Sequence, residues 1–171
     1  DGQDGMCFWS ENHSLMFYQT AYFFGREYPE DIFIRAGKTG AGLSDEAGER
    51  LREWLHDVCE MGFDEFNSGC YSVITLTALL NLVDFAEADI ALLAGKAADL
   101  LLKTAAVHVF CNVVIAPQGR VYRDALCPSK SSIQGLIHYL RPDAPYVFNE
   151  WLAVLADSSY QIPADLDTLM E

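Results

Sequence analysis

The chain has 171 residues, of which 51% are hydrophobic and 21% are charged, and this composition predicts one folded domain with a core rather than a disordered chain. The formal net charge of −14 argues against a nucleic-acid partner, because phosphate contacts depend on Lys and Arg. The most apolar stretch, residues 90–115, is interrupted by charged residues, which favours a buried helix over a membrane span.

The five cysteines are odd in number and have neither a close pair nor the spacing of metal ligands. They are typical of reduced thiols or core residues, and they favour the cytoplasm as the location. They are Cys7, Cys59, Cys70, Cys111 and Cys127.

The first half of the chain predicts two helices of different character. Ser10 is a suitable N-cap for a helix from Glu11 to about Gly25, and this helix is apolar on nearly all sides, which predicts enclosure. Residues 26–43 are rich in glycine and predict a long loop. Ser44 is then expected to cap a second helix that ends at Gly62, whose single apolar stripe indicates an outer, amphipathic helix.

The rest of the chain predicts four more helices and no strand. The loop FDEFNSGC leads into another apolar helix, and the segment APQGRVYRD at 116–124 predicts a turn. The predicted helices are Tyr71–Ala86, Asp89–Val113, Ser131–Leu140, capped by Ser129 or Lys130, and Tyr146–Ala156.

These elements predict an all-α fold, with residues 1–171 as a single helical domain. Outer helices that alternate with enclosed ones are typical of αα-hairpins curled into an (α/α) toroid, with the inner helices lining a cleft. The predicted helices are too few to close such a ring, so we expect a partial toroid that belongs to a larger one. An irregular helical bundle is the alternative.

Two polar clusters stand at the entry to the two apolar helices. At the first, Asn12 and His13 lie at a helix N-terminus, where the dipole lowers the pKa of an imidazole. A neutral His can act as a base, and an adjacent Asn can donate to a carboxylate. Together with Glu11, these residues are equally explained as capping and packing groups.

The second cluster is the loop 64–68, which includes Glu65 and Asn67 and is followed directly by Tyr71. A loop rich in functional groups between two buried elements is a candidate binding or catalytic segment. The alternative is an Asx or Ser turn that caps the following helix.

A third group contains Arg120, Tyr122 and Arg123, in a chain with only 11 basic residues. An Arg and a Tyr together could bind a carboxylate, or they could pair with local acids. No Gly-rich phosphate loop is present. Glu11, His13, Asp64 and Glu65 lack a diagnostic metal spacing, so neither a cofactor nor a metal is predicted.

An Asn-His pair that opens one inner helix, with a Tyr that heads a later one, resembles the helical-toroid polysaccharide lyases, the alginate lyase, chondroitin lyase and heparinase-like group. The strings WSENH, GFDEFNSGCY, LVDFAE and GRVY, within residues 8–124, also resemble large bacterial proteins with such a toroid. The resemblance implies that Asn12, His13 and Tyr71 are catalytic and that Arg120 is the basic residue that often joins them.

The sequence departs from the lyase pattern at three points. Glu11 stands where the motif usually has a first Asn, no Arg lies close before Tyr71, and the net charge has the wrong sign for an acidic polymer. A toroid that kept its scaffold and changed its substrate is consistent with these differences.

The function that this resemblance implies is β-elimination on a uronate-containing oligo- or polysaccharide. The residues expected to bind this substrate are Trp9, Glu11, Glu65, Asn67, Arg120 and Tyr122. One alternative is a glycoside hydrolase that uses Glu11 and Glu65, or Asp64, as its acid and base. The other is a non-catalytic glycan-binding or scaffold domain with aromatic stacking surfaces. The oligomeric state is not predicted.

Overall fold

The computed structural model describes residues 9–171 and is mostly helical, which confirms the all-α prediction. Cys7 lies outside the described residues. None of the described helices is long and apolar enough to span a bilayer. Seven α-helices are present in this range: α1 Glu11–Glu27, α2 Gly40–Met61, α3 Ser72–Phe85, α4 Ala88–Ala106, α5 Ser132–Leu140, α6 Leu152–Asp157 and α7 Leu166–Leu169.

Two short antiparallel hairpins interrupt the helices, so the prediction of no strand was wrong. β1 (Ile32–Phe33) pairs with β2 (Lys38–Thr39) between α1 and α2. β3 (Val109–Phe110) pairs with β4 (Val113–Val114) directly after α4. Each strand has two residues, which is too short for an alternating pattern to be visible in the sequence.

The four long helices form two antiparallel hairpins. The start of α1 contacts the loop after α2 through Glu11 and Asp64, and the end of α1 meets the start of α2 where Gly25 lies against Gly40. The start of α3 likewise lies near the end of α4, where Asn67 approaches His108. For α3 and α4 this is expected, because the connection between Phe85 and Ala88 is short.

One consequence is that α1 and α3 begin at the same end of the molecule. The loop 62–71, the β3–β4 hairpin and the segment 116–122 lie at this end as well, as their contacts with one another show. We call it the site end, because all three polar clusters predicted from the sequence lie there.

The core is centred on α3, which is the enclosed helix that the sequence predicts. Nine of its residues are buried, and it packs against α1, α4, α5 and α6. α4 contributes a stripe of small residues and leucines on the side that faces α2 and α3. The fully buried residues of α2 and α3 include Leu51, Leu55, Leu79 and Leu80, whose removal from water stabilises the fold.

α1 differs from its prediction, because only one face of it is buried. The buried positions are Asn12, Leu15, Gln19, Tyr22 and Gly25, which follow a helical period. The remaining aromatic side chains are half-buried, and Phe24 is 55% exposed. Full enclosure of α1 is therefore wrong for this structure, and so is strict alternation of enclosed and one-sided helices.

The start of α2 lies four residues before the predicted cap. Thr39 is the N-cap, and its hydroxyl accepts a hydrogen bond from the Gly42 N–H at 3.3 Å. Ser44 instead donates to the backbone oxygen of Tyr22 at 3.0 Å, which joins α2 to α1. A Cβ at Gly40 would lie 1.9 Å from the Tyr28 oxygen, so this close crossing requires glycine. The predicted end at Gly62 is confirmed.

α4 ends at Ala106, seven residues before its predicted end. Cys111 and Asn112 both have positive φ, of 50° and 64°, and form the two-residue turn of the β3–β4 hairpin. α6 also begins later than predicted, at Leu152, and α7 was not predicted at all. The predicted helix over residues 131–140 is confirmed, although its N-cap is Ser131 rather than Ser129 or Lys130.

Candidate functional site

Ser10, Asn12 and His13 form a compact polar group at the start of α1. The Ser10 hydroxyl donates to Asn12 Oδ1 at 3.1 Å and lies 2.6 Å from His13 Nδ1. The donor in the second contact follows from the tautomer of His13: Nδ1 accepts from the hydroxyl when the ring proton is on Nε2 and donates to it when the proton is on Nδ1. A neutral imidazole in either form has one nitrogen with a lone pair, which is what a general base requires.

Asn12 lies beneath the surface, with 1% of its area exposed. Its backbone N–H donates to Glu65 Oε2 at 3.3 Å, while its side chain is held by Ser10. The amide therefore does not face a cleft in which it could meet a substrate carboxylate, and its role in this structure is to connect α1 to the loop 62–71.

Glu11 joins the two predicted clusters directly. Its carboxylate accepts hydrogen bonds from the backbone N–H groups of Asp64 and Glu65, both at 2.9 Å. Partial burial raises the pKa of the Glu11 carboxyl, and the two N–H donors offset part of that shift. Glu11 thus holds the loop 62–71 against the first turn of α1.

Glu65 connects the start of α1 to the third cluster, which contains Arg120 and Tyr122. Glu65 is 8% exposed, and its two carboxylate oxygens have different partners. Oε2 accepts from Asn12, whereas Oε1 accepts from Arg120 Nη1 at 2.8 Å in an ion pair. A buried carboxylate needs such partners to offset its loss of hydration.

Arg120 lies between two tyrosines at the outer end of this network. Its guanidinium lies over the Tyr71 ring, with Cζ 4.6 Å from the ring centroid. Its Nη2 donates a hydrogen bond to the Tyr122 hydroxyl at 2.9 Å. The Tyr71 hydroxyl donates to the Tyr122 hydroxyl at 3.3 Å. This bond raises the pKa of Tyr71 to about 12, although the Arg120 charge opposes the shift, so the phenol is protonated at neutral pH.

The bond to Glu65 likewise raises the pKa of the Arg120 guanidinium above its ordinary value, so the cation is permanent. We call Arg120, Tyr71 and Tyr122 the Arg–Tyr surface. Tyr122 is 51% exposed and the Arg120 side chain is 29% exposed, so solvent and ligands reach both groups. A cation beside two phenol hydroxyls is suited to a carboxylate or a sugar hydroxyl.

Three residues outside the predicted site residues hold the segment 116–122 against the loop. The Ser68 hydroxyl donates to the Arg120 backbone oxygen at 2.6 Å, and Gln118 Oε1 accepts from the Gly69 N–H at 2.8 Å. The Gly119 N–H donates to the Phe66 oxygen at 2.9 Å, and a Cβ at Gly119 would lie 2.0 Å from the Asp64 oxygen. In the sequence, Gly119 of the string GRVY could have indicated this contact, because such a close approach of two backbones favours glycine.

Asn67 contacts a different group from the Arg–Tyr surface. It has a φ of 50° and is buried, and its amide approaches His108 Nδ1 at 3.4 Å rather than Arg120. Trp9 is 77% exposed just before α1. Arg123 begins a short 3₁₀ segment, Arg123–Leu126, beyond the surface.

Within the described part of the chain, no group of three His, Cys, Asp or Glu side chains is arranged to hold a metal ion. Glu11 and Glu65 are occupied by backbone N–H groups and by Arg120, as described above. Comparison with protein-family models, with curated proteins and with solved structures finds no match to the chain.

Proposed function

We propose that the protein acts on a uronate-containing polysaccharide by β-elimination, with the Arg–Tyr surface as its reaction site. The observation that carries this proposal is the junction of three distant segments through Glu65 and Arg120, which leaves a cation and a protonated Tyr71 at the surface. The proposal includes a partial toroid in which α1 and α3, which begin at the same end of the molecule, are the inner helices.

β-Elimination needs a base, a proton donor and a group that neutralises the uronate carboxylate. The base removes the proton on the carbon next to the carboxylate, the resulting electron pair forms a carbon–carbon double bond, and the bond to the leaving oxygen breaks. The leaving oxygen then takes a proton from the donor. Stabilisation of the enolate-like charge is the largest demand on the protein.

Tyr71 suits the role of donor, because its pKa of about 12 keeps its hydroxyl protonated. Tyr71 does not suit the role of base, since a phenolate would require a lowered pKa. Arg120 suits the neutralising role that the sequence resemblance gives to Asn12, because Arg120 is accessible and Asn12 is buried. His13, beside Ser10 at the start of α1, is the candidate base.

The hydrolase alternative has less support from the geometry. Such an enzyme needs one carboxyl that protonates the leaving oxygen and one carboxylate that acts on water or on the sugar. Both oxygens of Glu11 bind backbone N–H groups, and both oxygens of Glu65 are bonded within the protein. These bonds explain the two residues as structural groups.

The test is incubation with a panel of uronate polymers, followed by the ultraviolet absorbance of the unsaturated product. Tyr71→Phe should lower the rate by about 100-fold or more, because it removes the proton donor. His13→Ala should do the same. Tyr139→Phe, at an exposed tyrosine of α5, is the matched control and should leave the rate unchanged.

Other outcomes select other functions. New reducing ends without the absorbance, abolished by Glu11→Gln and Glu65→Gln, would replace the lyase by a hydrolase. Saturable glycan binding with no turnover in any variant would show a binding domain.

A further inference from the structure

A second candidate site lies at the loop 62–71 and shares Glu65 with the network that holds the Arg–Tyr surface. It is a cavity of about 290 Å³ between the end of α2, the start of α3 and the end of α4. Arg120, Tyr71 and Tyr122 do not line it. A cavity of about 150 Å³ can hold benzene, so this one has room for a ring with a short side arm.

Much of the cavity wall is apolar and is formed by Phe63, Phe66, Leu100, Leu101 and Ile133. A wall of this kind favours an apolar body in the ligand.

Polar groups occur together at one part of the lining, where Asn67 meets His108. His108 Nδ1 lies 2.7 Å from the Thr104 oxygen, and a carbonyl only accepts, so Nδ1 carries the proton. The Asn67 amide lies 3.4 Å from the same Nδ1. The Nδ1–H therefore cannot accept from the Asn67 amide, whichever way the amide is turned.

Two hydrogen-bonding groups are left for a ligand by this arrangement. Among the described residues, the side-chain amide of Asn67 contacts His108 Nδ1 alone, although Asn67 is only 6% exposed. In the neutral form of His108 with the proton on Nδ1, Nε2 carries the lone pair. A ligand hydroxyl could bond both groups.

The charges at the cavity restrict the ligand further. Glu11 and Glu65 both line it, and they place negative charge at the cavity. An anionic ligand would be repelled by these carboxylates and would also lose its hydration.

We propose that the cavity binds a small neutral molecule with one ring or a short alkyl body and a hydroxyl group. The hydroxyl oxygen accepts from the Asn67 amide, and its hydrogen is donated to His108 Nε2. The left-handed backbone at Asn67 holds the amide in place for this contact.

The test uses 2-phenylethanol as the probe and phenylacetate as its anionic counterpart of similar size, with binding followed by NMR titration. The probe should bind saturably at one site, and phenylacetate should bind at least about tenfold more weakly. Asn67→Gly removes the amide and suits the positive φ, so it should fold normally and weaken binding by about tenfold.

A second variant fills the space instead. Thr75 lines the cavity, and Thr75→Leu should abolish binding of the probe, whereas Thr20→Leu, in a different groove on α1, should leave it unchanged. If Thr75→Leu fails to fold, Asn67→Gly decides the matter alone. Absence of saturable binding, equal binding of phenylacetate, or binding unaffected by Asn67→Gly would each overturn the proposal.

Discussion

Glu65 is the residue on which the site end depends most. It is almost completely buried, it accepts from the first turn of α1, and it forms an ion pair with Arg120. The removal of one partner from a buried pair is costly, because the other charge and the remaining donors lose their acceptor. Its contribution to stability should therefore be larger than that of the exposed pairs on α2.

Glu65→Gln should lower the free energy of unfolding by about 1–3 kcal/mol, because glutamine has one acceptor oxygen where the carboxylate has two. The measurement is unfolding in urea, monitored by circular dichroism. Glu46→Gln is the control, since Glu46 pairs with Lys38 and Arg50 on the surface, and it should cost no more than about 0.5 kcal/mol. Equal losses for the two variants would show that Glu65 is not a structural anchor.

The sequence predicts which residues lie at this site better than it predicts what they contact. Ser10 marks the start of α1 because N-cap preferences are local, and that boundary is confirmed. The bonds from Glu11 to the backbone of residues 64 and 65 join positions more than fifty residues apart. No local pattern encodes such a contact. From the sequence alone, a glutamate that holds a loop in place therefore looks the same as a glutamate that acts as a catalytic acid.

Among the elements, the segments after α4 show where sequence patterns are ambiguous. Residues 107–115 are mostly apolar, and a short apolar run fits a helix or a strand equally well. The structure resolves the ambiguity through the turn at Cys111 and Asn112, where two positive φ angles end any helix. The segment 116–122 then returns to the loop 62–71 and carries Arg120 into place.

Gly119→Ala should disrupt that return, because its Cβ would lie 2.0 Å from the Asp64 oxygen, which belongs to the backbone and cannot move freely. We expect a loss of about 1–3 kcal/mol in the free energy of unfolding, together with weaker protection of the Gly119 and Gly69 amides from hydrogen exchange. Gly95→Ala is the control. Gly95 lies within α4 with open space around it, so its substitution by alanine should raise the free energy of unfolding by about 0.5–1 kcal/mol. A neutral Gly119→Ala variant would contradict the close docking.

For the whole molecule, the helical class is predictable and the detailed arrangement is less so. Apolar periodicity distinguishes α2, with its single stripe, from α3, which is buried on most sides. The same criterion fails for α1, whose aromatic residues predict enclosure although only one face is buried. Periodicity reports how apolar a helix is, and it does not report which neighbours are present to cover it.

The net charge of −14 is a property of the whole molecule, and it should make stability depend on salt. Like charges repel more in the compact state than in the unfolded chain, and salt screens them. We expect the free energy of unfolding to rise by about 0.5–1 kcal/mol between about 0.1 and 1 M NaCl, where the Debye length falls from about 10 to about 3 Å.

Two charge variants test this explanation. Glu53→Lys, on the exposed side of α2, changes the formal charge from −14 to −12 and should reduce the rise in the free energy of unfolding. Lys96→Glu, on α4, changes the formal charge to −16 and should increase the rise. A fall in stability with salt would instead show that the exposed ion pairs, such as that of Arg52 with Asp89, outweigh the general repulsion.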